Sequence, residues 1–314
     1  LKKITLKKEE VESNEKYDEI TKKITKNILK TIVNNDSNLF TMTKKDYIKM
    51  SQKRQKEDEL RMSLLDFCDD FTLKHIKKCG SISLSIRGSD FVDLIIAEVG
   101  FIDEKYSEGI LDIVVSGNII SNEPNAIYLY VYIPETFLSS ITNAEYEELE
   151  MSLIRTIRHE LQHCIQFSSM TDRQYNAEIR GSKSMSTEFY NRYETMWKFD
   201  EQYFKNKGEL EAFTKEIELA SKISQKPLSF YVHELLDRRL EFIFQNNYSA
   251  YDAKTMVFLC AEKKLTKKEM KQLKEIMNVY KIVSNNIKSF IKKNKNKVCY
   301  LWKTTDLISG ETKK

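Results

Sequence analysis

His159-Glu160-Leu161-Gln162-His163 places two imidazoles four residues apart, with a carboxylate directly after the first. On an α-helix the two histidines stand one turn above the other on one face, so both rings can reach a single metal ion, and Glu160 lies beside them as a candidate general base. The chain has 4 His in 314 residues and half of them are here. With so few histidines, an HExxH string arises by chance in fewer than ~1% of such compositions. The bland reading is an amphipathic helix that carries two surface histidines. The chemical reading is a metal that activates water, with Glu160 taking the proton as the water attacks a polarised carbonyl.

Two histidines do not complete a catalytic zinc site, which takes three protein ligands and keeps one position open. After His163 the chain reads Cys164-Ile165-Gln166-Phe167-Ser168-Ser169, so the HxxGxxH extension of metzincins is missing. His75 and His233 have no ligand-like context, and a carboxylate is the better third ligand. Two glutamates compete, in Glu178-Ile179-Arg180-Gly181 and in Glu209-Leu210-Glu211-Ala212. Helical phase favours Glu178, because Glu178, Gly181, Met185, Phe189 and Tyr193 share one largely apolar face. A carboxylate there is costly unless it is paired or metal-bound. Glu209 stays open as the alternative, as does the reading in which both glutamates only make salt bridges.

The motif needs a helix, and local chemistry supplies one. Thr142-Asn143-Ala144-Glu145 is a capping box, and Glu147, Glu148 and Glu150 suit the early turns. Tyr146, Leu149, Leu153, Ile157, Leu161 and Cys164 then recur at three- and four-residue steps, a core-facing stripe that runs to about Phe167. The histidines fall on roughly the opposite side, free to face a cleft. Upstream, Ala126 to Ile133 is rich in β-branched and aromatic residues and is stopped by Pro134, so it predicts a strand. Joined by a short linker to the Thr142 cap, this strand is expected to form the edge of a substrate cleft. An interior strand paired on both sides is the alternative.

A strand followed by an HExxH helix resembles the zincin arrangement, and both glutamate segments resemble the ExxA pattern of gluzincin metallopeptidases. The string HELQHCIQ followed by AEIRG is similar to zincin-like proteins whose motif reads HELxHxxQ and whose ligand sits in an EIxA segment, with Gly181 here in place of the usual Ala. The resemblance covers roughly residues 126 to 190. It implies Zn²⁺ held by His159, His163 and Glu178, hydrolysis of peptide bonds with Glu160 as base, and an oxyanion donor, for which Tyr175 and His233 are the candidates. Each of these two is more simply a structural residue. The competing function is a non-catalytic structural or assembly protein, such as a virion component, that keeps a zincin-like metal-binding domain. The intact Glu160 argues against it, since a structural zinc is closed by a fourth ligand and needs no base.

Composition bounds the rest. Hydrophobic residues make up 41% of the chain, enough for a real core, and only 8 Gly and 3 Pro favour long helices over a many-turned β architecture. The fold class expected is α+β, mostly helical, with a small mixed or antiparallel sheet packed on the motif helix and helical extensions at both ends. Residues 1–79 are expected to form an N-terminal helical region, 80–250 the zincin-like domain and 251–314 a basic helical region. In the first, helices are predicted over much of 1–36 and from Lys44 to Lys78, the latter ended by Cys79-Gly80. Strands are predicted at Ser81 to Ile86 and Gly109 to Val115, while Phe91 to Val99 reads as strand or helix. Tyr190, Tyr193, Trp197 and Phe204 form a core stripe, a helix follows Pro227, and Thr266-Lys267-Lys268-Glu269 opens another. A net charge of +4 is too small to argue nucleic-acid binding, although the Lys-rich C-terminal helix leaves it open. The 5 Cys, odd in number and without a CxxC pair, read as reduced thiols. With no apolar run long enough to span a bilayer and no apolar leader after Leu1, a protein or peptide substrate met in the cytoplasm or a virus particle is expected, and no membrane partner.

Overall fold

A computed structural model describes residues 8–34, 42–43, 76–86, 92–102, 113–120, 123–135, 142–168, 196–248 and 264–294, with a few isolated positions between them. The chain divides into two compact units, Leu1–Met170 and Thr171–Lys314. Among the described residues helix predominates, accompanied by one small mixed sheet.

The first unit contains helix α1 (Lys8–Val33), strands β1 (Met42–Thr43), β2 (Ile76–Ser85), β3 (Leu94–Ile102), β4 (Val114–Ile120) and β5 (Glu123–Pro134), and helix α2 (Asn143–Ser168). The five strands lie in the order β1-β2-β3-β5-β4. β3 and β5 run parallel, while β1 with β2, β2 with β3, and β4 with β5 are antiparallel.

Along β5 every side chain from Ala126 to Ile133 is buried. Ile127, Leu129, Val131 and Ile133 join the core shared with α1 and α2, and Tyr128, Tyr130 and Tyr132 are buried between them in the alternation. A strand apolar on both faces belongs inside a sheet, and β5 is hydrogen-bonded to β3 on one side and β4 on the other. This corrects the expectation that Ala126 to Ile133 forms the cleft edge. The edge on this side, among the described residues, is β4.

The helix expected up to Lys78 also gives way at its end, because Ile76–Ser85 is strand β2 and runs through Cys79 and Gly80. Its pairing with β3 along almost its whole length outweighs the helical pattern read there, and most of the stretch before it lies outside the described residues. Of the ambiguous Phe91 to Val99 segment, Leu94 to Val99 form the start of strand β3, and Phe91 lies outside the described residues. β4 lies later than the strand expected at Gly109 to Val115, overlapping it only at Val114 and Val115.

α1 buries Tyr17, Ile24, Ile28 and Ile32 at helical spacing, as expected. α2 packs on β4, β5 and α1, and it buries Leu149, Leu153, Ile157, Leu161 and Cys164. Its N-terminus is fixed by the capping box: the Thr142 amide donates to Glu145 Oε2 at 2.8 Å and the Glu145 amide to Thr142 Oγ1 at 3.2 Å. These bonds hold the Glu145 carboxyl below its ordinary pKa.

The second unit is helical among the described residues: α3 (Met196–Tyr203), α4 (Lys207–Ser224), α5 (Leu228–Tyr248) and α6 (Lys267–Lys293). α6 opens on the expected Thr266–Glu269 capping box, and α5 follows Pro227. Trp197 and Phe204 are core residues, whereas Tyr190 and Tyr193 lie outside the described residues. Asp200 on α3 is fully buried and is bonded by the Arg239 guanidinium from α5 and the Tyr280 hydroxyl from α6. Burial pushes its carboxyl above the ordinary range, while Arg239 and Tyr280 pull it back down.

Candidate metal centre

The stripe that buries one face of α2 leaves His159 and His163 half-buried on another. Their Nε2 atoms are 3.1 Å apart and their ring planes stand at 74°. Two nitrogens bound at 2.0–2.1 Å to a tetrahedral zinc sit about 3.3 Å from each other, so the pair already has close to the separation that one ion requires.

The outer side of His163 is held as well. Its Nδ1 meets Gln166 Oε1 at 2.9 Å. A proton on Nδ1 would satisfy this contact and leave the Nε2 lone pair for a metal. Phe167, one turn on, stacks on the same imidazole with centroids 6.1 Å apart and planes at 22°. Gln166 was legible at the i, i+3 spacing that lets helical side chains meet.

Glu160 lies toward the sheet side of α2 and is 9% exposed. It packs against β4 at Gly117. Its charge helps to raise the pKa of the neighbouring Cys164 thiol, an effect second to burial. Behind this face Arg158, fully buried, donates from Nη1 to Gln162 Oε1 at 3.2 Å and from Nη2 to Asn14 Oδ1 at 3.4 Å. It also forms an ion pair with Asp18 at 3.2 Å. No pattern in the sequence marks this pairing, because nothing local links α1 to α2.

Of the other candidates, Glu178 and Tyr175 lie outside the described residues, as does His75. His233 is on α5 in the second unit, with its side chain exposed. Glu209 stands in the first turn of α4, half-buried, just after the Asn206 cap, whose Oδ1 accepts from the Gly208 amide at 2.7 Å. One turn later Ala212 is fully buried, as the small position of an ExxA segment would be. Among the described residues Cys79, Cys164 and Cys260 are outside any disulfide, and burial raises the Cys79 pKa to about 12. No helix among the described residues is long and apolar enough to cross a membrane. No family model, curated protein or solved structure matches the chain.

Proposed function

We propose that this protein is a zinc-dependent endopeptidase of the gluzincin type, with His159 and His163 as metal ligands and Glu160 as general base. The observation that carries the reading is the histidine pair, with Nε2 atoms 3.1 Å apart and Glu160 on the intervening turn. Imidazole nitrogens with a carboxylate make a donor set that suits zinc in a hydrolytic site. A carboxylate completes the donor set in this reading, either Glu178, which helical phase favours, or Glu209, which opens α4 one turn before the buried Ala212, and mutagenesis separates the two.

A bound zinc supplies Lewis acidity, polarising a carbonyl and acidifying water. The remaining work falls to the chain's own groups. Glu160 accepts a proton as water oxygen bonds to the peptide carbon, then returns it to the amine nitrogen as the C–N bond breaks. Gln166 and Phe167 keep the His163 ring in its ligating orientation. The cleft role first expected of β5 passes to β4, whose outer edge suits an extended peptide bound through main-chain hydrogen bonds.

The test is incubation of the purified, zinc-loaded protein with a diverse peptide library read by mass spectrometry. Cleavage that stops on chelation and returns with zinc is expected. Zinc bound at full occupancy with no peptide cut would overturn the reading in favour of a binding or assembly role.

A further inference from the structure

Val115 and Ile119 of β4 both pack on the core beneath α2, and side chains two apart on a strand point to the same face. Position 117, midway between them and paired with the buried Leu129 of β5, should therefore carry another β-branched or aromatic residue. It is glycine. A glycine inside a strand weakens it and marks a bulge or a close approach. The register slip of this strand pair lies at Ile119/Ile120, away from Gly117, and the Gly117 backbone lies outside the left-handed region that favours glycine. Space is the remaining explanation. A Cβ on residue 117 would stand 2.5 Å from Glu160 Cγ, 3.0 Å from Glu160 Cδ and 2.8 Å from Thr156 Cγ2.

Thr156 and Glu160 are one turn apart on α2, so they present neighbouring groups to the same strand. Both contacts are too short for any side chain at 117 without movement of one partner. The Thr156 methyl is anchored to a β-branched carbon with little freedom. The Glu160 stem is the part that would shift, and its carboxyl would shift with it.

We propose that Gly117 is a positioning residue for Glu160: the slot left by its missing side chain receives the glutamate stem and fixes where the carboxylate lies beside the histidine pair. The catalytic consequence rests on the endopeptidase reading above, whereas the packing relation stands without it. Gly117 touches no reacting atom. It acts through the side chain it admits.

The experiment pairs Gly117→Ala with Glu160→Ala in the full-length protein and reads amide hydrogen exchange in β4 and α2. Overpacking by one methyl should speed exchange there by at least about 10-fold in Gly117→Ala. The same substitution in the Glu160→Ala background should speed it by less than about 3-fold, the remainder coming from the Thr156 methyl. An equal acceleration in both backgrounds would overturn the proposal, because the glycine would then serve the strand itself. On a peptide that the parent cleaves, Gly117→Ala should lower kcat at least about 10-fold with KM and zinc content unchanged. An unchanged kcat would overturn the positioning role. A parent that cleaves no peptide counts against the endopeptidase reading alone, and the exchange comparison still decides the relation between Gly117 and Glu160.

Discussion

Arg158 Nε donates to Asp18 Oδ1 at 3.2 Å, joining the metal-motif helix to the N-terminal helix one residue before His159. The guanidinium side chain is 1% exposed and the carboxylate 11%, so neither charge is well hydrated if the other is lost. Asp18→Ala should destabilise the first unit by about 3–5 kcal/mol, toward the low end because Asn14 and Gln162 still accept from the guanidinium. Asp18→Ala with Arg158→Met should recover at least half of that loss. Hydrogen exchange along α2 checks both, and a single variant that exchanges like the parent would remove the pair from the stabilising contacts.

Zinc titration followed by elemental analysis should give one ion per chain, lost in His159→Ala and in His163→Ala. One of Glu178→Gln and Glu209→Gln should weaken binding by at least about 10-fold and the other by less than about 2-fold, which identifies the third ligand. Small effects from both would reject both carboxylates.

Replacing Glu160 by Gln keeps the side-chain shape but removes the proton acceptor. Turnover on any verified substrate should fall at least ~10²-fold with zinc content intact. A variant as fast as the parent would show that another group is the base.

Gln166→Ala frees Nδ1 of His163 to exchange tautomers, and a metal ligand's outer-side partner typically contributes 10–100-fold in affinity or activity. Weaker zinc binding by about 10-fold is therefore expected with the fold unchanged. Restoration by Glu at 166, which also accepts from Nδ1, would distinguish orientation of the ring from simple packing. Unaltered affinity in the alanine variant would count against the tautomer argument.

In the second unit, burial raises the Asp200 carboxyl above its ordinary value. The folded state therefore holds this proton more tightly than the unfolded chain. The associated stability is present below the unfolded pKa of about 3.9 and is lost as pH rises through the higher folded pKa. Unfolding of α3–α6, followed by exchange, should show this decline in the parent and not in Asp200→Asn. A decline of equal size in the variant would assign the titration to another group.

What could be read in advance was what lies close along the chain. The Thr142 and Thr266 capping boxes, the α2 stripe and the α1 stripe each depend on residues within a few turns, and all formed as expected. The histidine pair did too, because one helix sets its spacing. Strand partners were not legible. The burial of β5 on both faces is plain in its apolar run, yet which strand closes each side depends on a β4–β5 hairpin and a parallel crossover that no local pattern encodes. Gly117 shows the same limit on a smaller scale. A glycine between Val115 and Ile119 marks a gap in the apolar face, but only the packed helix says that Glu160 fills it.

The bond between Asp18 and Arg158 spans 140 residues of chain, which makes synthesis and folding unequal partners here. At about 5–20 residues per second, a ribosome takes roughly 7–28 seconds to pass from one to the other. Throughout that interval the face of α1 holding Ile24, Ile28 and Ile32 has no motif helix to cover it. Contacts so distant in sequence form slowly even after release, since loop closure must precede any gain from packing. The apolar face of α1 therefore stands uncovered for a chaperone to meet on the nascent chain, and the histidine pair is among the last parts of the first unit to leave the ribosome.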